Sequence, residues 1–229
     1  MTRALAPILV ATLFGSPLTA QTAPDLPLTA RGNEPFWTVT ITPEALRLIE
    51  PEGKGSAQDF PYSAETTAEG TLYSTDALTL QITQALCHDD MTGIPHPFRA
   101  TLTRNGTDST GCAGDPETLL AGDWAGTAVN GTAIAAGITV SLSFADGQVS
   151  GQSGCNRFTG GYSLTGEGLT FTPIAATRMA CPAPQMETET ALFDALRRTA
   201  RFDIGADGSL LLFAGDATPV LTASPQRGN

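Results

Sequence analysis

The sequence has few basic residues: 12 lysines and arginines stand against 23 aspartates and glutamates, and the formal net charge is −11. An acidic surface of this kind repels a phosphate backbone and an anionic bilayer surface. We therefore expect neither nucleic acid nor an anionic membrane surface as a partner.

Long apolar runs are also lacking. The single candidate, residues 4–14, contains Pro7 and is too short to span a bilayer. A basic residue precedes this run and small residues follow it, which is typical of a secretory leader cleaved near Ala20. No cysteine stands at that point to carry a lipid anchor. We expect a mature chain without a membrane-spanning segment that is not a lipoprotein; a leader retained as a tether is the alternative.

Histidine is scarce, and both copies, His88 and His96, lie in one stretch with Asp89 and Asp90. These four side chains could form a metal site or a His/Asp acid–base pair. We favour a polar loop closed by a disulfide, because the four residues keep no fixed helical or strand spacing. The second half has no histidine, so Ser153 lacks the base that a hydrolase nucleophile needs.

Four cysteines occur, and none belongs to a C-x-x-C pair of the kind found in zinc sites. In an exported chain we expect disulfides, although four cysteines allow three pairings. The separations within each half are nearly equal, which favours one bridge per domain, Cys87 with Cys112 and Cys155 with Cys181. Each bridge would stabilise its domain by about 3.5 kcal/mol in the chain-entropy model.

The composition, 41% hydrophobic with 24 glycines and 16 prolines, is typical of turn-rich β domains, and the length suggests two of them. We predict a linker at residues 21–29 and a first domain at residues 30–114. Alternation of large and small polar residues predicts strands at residues 36–41, 45–49, 70–74, 77–82 and 97–102, with turns at 51–55 and 105–106.

A second domain is predicted at residues 117–223, before a tail at 224–229, with strands at 138–144, 148–151, 162–164, 169–171, 202–204, 210–213 and 219–222. One helix, about 184–200, begins with prolines and ends with arginines. The helix should pack on the sheet through an apolar stripe of Leu192, Phe193 and Leu196. Met186, Glu189 and Ala200 continue the same face less regularly. The fold class is therefore mainly β, with two small antiparallel barrel-like or curved-sheet domains.

The most distinctive pattern lies in residues 154–162, 169–171 and 174–181, with Met186-Glu187 leading into the helix. In these residues the second domain resembles the META domain, or HslJ-like, family. The resemblance implies a compact antiparallel barrel or strongly curved sheet crossed by a helix, in an exported envelope protein. It brings no catalytic residues with it.

The first domain carries a second resemblance, based on the motif G-N-E-P-F-W at residues 32–37 and on residues 87–93 and 111–114. It is similar to an uncharacterised domain of bacterial exported proteins. The similarity implies an envelope location and no chemistry.

Arg157, Arg178 and Asn156 form a candidate binding patch, because two arginines beside the Cys155–Cys181 bridge are a local exception in an acidic protein. The alternative, which we favour, is that each arginine binds loop carbonyls or an acidic neighbour such as Glu187.

These observations favour a non-catalytic periplasmic protein, a binding or stress-tolerance module, that is monomeric and needs no cofactor. Its partner would be an envelope protein or a small ligand. Two alternatives stay open: an inhibitor of a secreted hydrolase, and a metal-dependent or hydrolytic enzyme that uses the loop with His88 and His96.

Overall fold

The structure is a computed structural model that describes residues 23–50, 57–215 and 217–226. The expected leader and the turn expected at residues 51–55 lie outside the described residues. No helix in the described part is long and apolar enough to cross a membrane.

The first half of the chain folds into one antiparallel nine-stranded sheet that curves into a half-barrel. Across the sheet the strands follow the order β4-β3-β2-β1-β11-β10-β7-β6-β5, and β8 and β9 form a separate small ladder. In chain order the strands are β1 Leu28–Asn33, β2 Phe36–Ile41, β3 Leu46–Ile49, β4 Gln58–Phe60, β5 Ser63–Thr67, β6 Gly70–Ser74, β7 Leu78–Thr83, β8 Cys87–His88, β9 Pro95–His96, β10 Phe98–Arg104 and β11 Thr107–Ala113.

Alternation along the strands places the first core on one face of this sheet. In β2, Trp37, Val39 and Ile41 are buried, while Thr38 and Thr40 lie on the opposite, outer face. Neighbouring strands contribute their inward residues to the same cluster, among them Leu46, Leu48, Leu80, Ile82, Ala100 and Leu102. The outer face is therefore free to carry the loop described below.

The second half is a ten-stranded antiparallel sheet that closes almost completely into a barrel. Its path is β17-β16-β15-β14-β12-β21-β20-β19, with β13 paired to β12 and β18 to β16. The elements are α1 Glu117–Leu120, β12 Gly122–Val129, β13 Thr132–Ala133, β14 Val140–Ala145, β15 Gln148–Ser153, β16 Arg157–Thr165, β17 Gly168–Phe171, β18 Ala175–Ala176, α2 Ala183–Arg198, β19 Arg201–Ile204, β20 Leu210–Phe213 and β21 Pro219–Pro225.

The barrel closes where β17 meets the chain just before β19. The amide of Leu169 donates a 2.9 Å hydrogen bond to the carbonyl oxygen of Ala200. Gly168 has φ +120°, and a Cβ there would lie 2.1 Å from that same oxygen. Only glycine fits this closure point.

Helix α2 packs on the second sheet through Leu192, Ala195 and Leu196, which are fully buried. Pro182 stands at its N-cap, and Arg197 and Arg198 in its last turn bind Asp194. Phe193 is only partly buried and packs edge-on against Phe158 of β16.

The structure confirms the predicted fold class. The helix runs over Ala183–Arg198 rather than to residue 200, because Thr199 has an extended backbone and leads into β19. The elements additional to the predicted ones are helix α1 and the strands β1, β4, β5, β8, β9, β11, β12, β13 and β18.

Candidate functional site

Residues 87–96, which we call the disulfide loop, lie against the outer face of the first sheet. Arg31 of β1 is exposed on that face. Cys112 of β11 pairs in register with Arg31 and therefore lies on the same face. The Cys87–Cys112 disulfide joins the loop to the sheet, in the pairing that the spacing favours. The amide of Asn33 adds a 3.0 Å hydrogen bond to Asp89 Oδ2. A covalent bond and a hydrogen bond therefore both connect the loop to the sheet.

The histidines and acids of this loop point to different partners. His88 Nε2 lies 2.9 Å from Oδ1 of Asp203 on β19, which links the two domains, and His96 donates from Nδ1 to the carbonyl oxygen of Gly114 at 2.8 Å. Asp90 is exposed and has no partner among the described residues. Within the described ranges no three His, Cys, Asp or Glu side chains come together to hold a metal ion. The structure thus does not bring together the four side chains of the alternative metal or acid–base site.

Asp89 organises the turn of the loop. Its Oδ1 accepts hydrogen bonds from the amides of Met91 and Thr92, at 3.0 and 2.8 Å, and from the Thr92 hydroxyl at 2.9 Å. Burial acts to raise the pKa of the Asp89 carboxyl group, but the hydrogen bonds from Thr92, Asn33 and Met91 outweigh it and hold the pKa below its usual value.

Asp89→Asn is expected to destabilise the protein at neutral pH and to have little effect in acid. The folded pKa of Asp89 is depressed, so its carboxylate stabilises the fold above the unfolded pKa of about 3.9 and this contribution disappears as the pH falls through the folded pKa. The variant places an amide opposite the amide of Asn33 and loses one hydrogen bond, which costs about 1 kcal/mol. Urea unfolding of both proteins between neutral and acid pH measures the difference.

Asp76→Asn is the matched control, because Asp76 is exposed and has no partner among the described residues. Its free energy of unfolding should follow that of the original protein at every pH. A difference between Asp89→Asn and the original protein that stays constant into acid would contradict the role given to the Asp89 carboxylate.

A groove of about 670 Å³, which we call the interdomain groove, opens between the disulfide loop and the second domain. Phe36 and Met91 line it and are 46% and 79% exposed, although both are large and apolar. Leu164 and Gly166, at the β16–β17 turn, form the wall from the second domain. The groove therefore combines apolar side chains from both halves of the chain.

The loop before β16 is held by a buried polar network. The Ser153 hydroxyl donates to Glu189 Oε2, and the backbone and side-chain amides of Asn156 donate to the two Glu189 oxygens at 3.0 Å each. Ser153, Asn156 and Glu189 are 0%, 2% and 9% exposed. The Ser153 hydroxyl also lies 2.8 Å from the Asn156 carbonyl oxygen and 3.2 Å from the Asn156 backbone amide, within the loop. The carboxylate on α2 adds the acceptor that the buried side-chain amide of Asn156 needs.

Asn156 also holds the segment that follows β18. Its Oδ1 accepts hydrogen bonds from the Thr177 hydroxyl at 2.7 Å and from the Met179 amide at 2.8 Å. The Cys155–Cys181 disulfide closes the same region, in the pairing favoured by the spacing. Asn156 therefore lies in the interior and positions the surface around it, instead of forming part of an exposed patch.

Arg157 and Arg178 lie next to this network and point to solvent. The backbones are adjacent, since the Thr177 amide donates to the Arg157 carbonyl at 3.0 Å. Both side chains are exposed, and neither guanidinium has a hydrogen-bond or ion-pair partner among residues 23–50, 57–215 and 217–226. The expected pairing with loop carbonyls or Glu187 is thus not seen in this part of the chain.

Two exposed methionines lie in the same part of the chain as Arg178. Met179 follows Arg178 directly and is 56% exposed, and Met186, in the first turns of α2, is 37% exposed. We call Arg157, Arg178, Met179 and Met186 the arginine–methionine patch. The surface combines unpaired positive charge with flexible apolar side chains.

Glu189 is not identified from the sequence as an important residue of this region. It lies three residues before Leu192 and so falls on the apolar stripe of the helix. A carboxylate in that position signals a buried polar partner. The sequence alone does not identify Asn156 as that partner, because the two residues are 33 positions apart.

Residues 117–227 match the family model of the META domain. Among solved structures, an NMR structure of a protein from Burkholderia xenovorans is 28% identical, with a TM-score of 0.40, and the match covers 50% of this chain and 90% of that one. A second NMR structure is 30% identical, also with a TM-score of 0.40, and the match covers 49% of this chain and 95% of that one. No curated protein matches the chain. The resemblance of residues 30–114 to an exported bacterial domain stays a prediction.

Proposed function

Because residues 117–227 of this chain belong to the META domain family, we propose that the protein is a non-catalytic periplasmic module that binds an envelope protein through the arginine–methionine patch. One observation carries the proposal: two exposed guanidinium groups in an acidic protein have no partner among the described residues.

The chemistry of the patch favours a protein partner. Arginine and methionine are both enriched at protein–protein interfaces, and arginine is one of the residues that most often dominate binding energy. Arg157 and Arg178 can bind a carboxylate in bidentate fashion, while Met179 and Met186 supply adaptable apolar contact. The matching surface on the partner would carry an acidic residue next to an apolar one.

The backbone of the patch is held by contacts within the protein. Asn156 fixes the backbone at Thr177 and Met179 through two hydrogen bonds, and the Cys155–Cys181 disulfide closes the segment. A surface whose backbone is already fixed loses less conformational entropy on binding. Only the ends of the arginine and methionine side chains have to become ordered.

The compartment and the absence of catalysis are part of the proposal. Two closed disulfides and the leader-like residues 1–20 support export to an oxidising compartment. His88 and His96 are bound to Asp203 and to the Gly114 carbonyl, and the structure does not direct them at a common point. The interpretation as a binding protein needs no further chemistry from them.

The Arg157→Ala/Arg178→Ala variant is expected to lose its partner while keeping its fold. The test captures proteins from a periplasmic extract on immobilised protein and quantifies each one against the variant. A partner bound through both guanidinium groups should be recovered at least about tenfold less on the variant, since hydrogen bonds to charged groups contribute about 1.5–3 kcal/mol each.

Arg47→Ala/Arg197→Ala is the matched control, because it removes the same charge from two exposed arginines that pair with Asp59 and Asp194 elsewhere on the surface. It should capture the partner as the original protein does. Equal recovery of the partner on all three proteins, or an equal loss on both variants, would contradict binding through the arginine–methionine patch. A lower melting temperature of Arg157→Ala/Arg178→Ala alone would show that these arginines stabilise the fold.

A further inference from the structure

A second cavity, of about 210 Å³, lies between the disulfide loop and the outer face of the first sheet. Three neighbouring strands, β1, β11 and β10, form the side of the cavity that belongs to the sheet. Cys112 of the middle strand pairs with Arg31 of β1 on one side and with Arg99 of β10 on the other. The two arginines therefore flank the disulfide, two strand spacings or about 10 Å apart. Both side chains can reach a ligand that lies over Cys112.

The two guanidinium groups are available for such a ligand. Arg31 and Arg99 are exposed, and neither has a hydrogen-bond or ion-pair partner within residues 23–50, 57–215 and 217–226. By contrast, Arg47 and Arg104 of the same domain bind Asp59 and Glu50. Unpaired arginines that line a concave site are donors for an oxyanion.

The opposite side of the cavity is acidic. Asp89 and Asp90 of the disulfide loop line it. Asp89 is already saturated by hydrogen bonds from the loop and from Asn33, but Asp90 has no partner among the described residues. The cavity thus has two positive groups on the sheet side and two negative groups on the loop side.

We propose that this cavity binds a free α-amino acid, with its carboxylate on Arg31 and Arg99 and its ammonium group on Asp90. A zwitterion, with a negative group at one end and a positive group at the other, matches a cavity with arginines on one side and aspartates on the other. An anion without a positive group, such as phosphate, would be repelled by Asp89 and Asp90. The volume also suits a small metabolite, since it is below the roughly 300–1,000 Å³ typical of sites for drug-sized ligands. This site is independent of the arginine–methionine patch.

The first test is direct binding to the full chain with both disulfides closed. Each of the twenty standard amino acids is screened by saturation-transfer NMR, and the strongest binder is titrated by calorimetry. We expect saturable binding of one molecule per chain, weakened about tenfold or more by Arg31→Gln and by Arg99→Gln. Arg47→Gln, on the same sheet but outside the cavity, should bind as the original protein does.

The second test separates the two halves of the ligand. The carboxylic acid that lacks the amino group of the best binder should bind the original protein at least about tenfold more weakly, and Asp90→Asn should remove that difference. Three results would overturn the proposal: none of the twenty amino acids binds, the Arg31→Gln and Arg99→Gln variants bind the amino acid as tightly as the original protein does, or inorganic phosphate binds more tightly than the amino acid. All the variants change exposed side chains, so unchanged melting temperatures verify the fold.

Discussion

Replacing Glu189 with alanine is expected to lower the free energy of unfolding by about 3–4 kcal/mol. The change removes an almost fully buried carboxylate that accepts from the Ser153 hydroxyl and from both amide groups of Asn156. The Ser153 hydroxyl can still donate to the Asn156 carbonyl oxygen at 2.8 Å and accept from the Asn156 backbone amide at 3.2 Å, but the Asn156 side-chain amide loses its acceptor. A buried donor left without an acceptor costs about 1–3 kcal/mol, and the loss of the two other hydrogen bonds to a charged group adds to this cost, although partial entry of water limits the total. Denaturant unfolding with both disulfides intact measures the loss.

Glu187→Ala is the matched control, since Glu187 lies on the same helix, is exposed and has no partner among the described residues. It should change stability by less than about 0.5 kcal/mol. Hydrogen exchange then locates the effect: the Asn156 amide should exchange faster in Glu189→Ala only. An equal, small effect of both substitutions would show that the network does not stabilise the loop.

Glu189→Gln tests the chemistry of the network rather than its volume. Glutamine keeps the size and one acceptor oxygen, but its amide group would face the donors of Ser153 or Asn156. We expect it to fall between the original protein and Glu189→Ala in stability. A glutamine variant as stable as the original protein would mean that one acceptor oxygen is enough.

Most of the second barrel could be predicted from local patterns. The alternation of Val140, Leu142 and Phe144 with serines fixes a strand with one buried face, and the Asp146-Gly147 turn joins it to the next strand. Helix α2 was predictable for similar reasons, because prolines at its start and arginines at its end agree with a helical apolar stripe. In these segments local propensity and the final packing agree.

Two of the additional strands, β5 and β11, lack that local signal. β5, Ser63–Thr67, has no buried residue, so its sequence shows no alternation of apolar and polar residues. β11, Thr107–Ala113, is rich in threonine, serine and glycine, and its place between β1 and β10 is fixed by non-local pairing. Such strands are specified by their neighbours in the sheet.

The candidate sites divide in the same way. The sequence drew attention to Cys87, His88 and Asp89 because the residue types are unusual, and the structure places them in one loop on the first sheet. It could not show that His88 contacts Asp203, 115 positions away, or that Arg31 and Arg99 lie on either side of Cys112. The first relation depends on the packing of one domain on the other and the second on strand order, and no local pattern contains either.

Replacing Cys87 and Cys112 together by alanine is expected to lower the free energy of unfolding by about 3.5 kcal/mol. The bridge spans 25 residues, and opening it returns the corresponding loop entropy to the unfolded chain. In the folded protein the disulfide loop would remain attached through Asn33, through the contact of His88 with Asp203 and through the hydrogen bond of His96 to the Gly114 carbonyl. The amides of Asp89 and Gly93, which bond to carbonyls within the loop, should therefore exchange faster.

The Cys155→Ala/Cys181→Ala variant provides the control. Its bridge spans 26 residues, so the expected loss of stability is nearly the same. Exchange at Asp89 and Gly93 should stay slow, because those amides belong to the other domain. If opening either bridge accelerates exchange in the disulfide loop equally, the loop is held by global stability alone. If only the Cys87–Cys112 variant does so, that bridge is the local connection that keeps the acidic side of the cavity opposite Arg31 and Arg99.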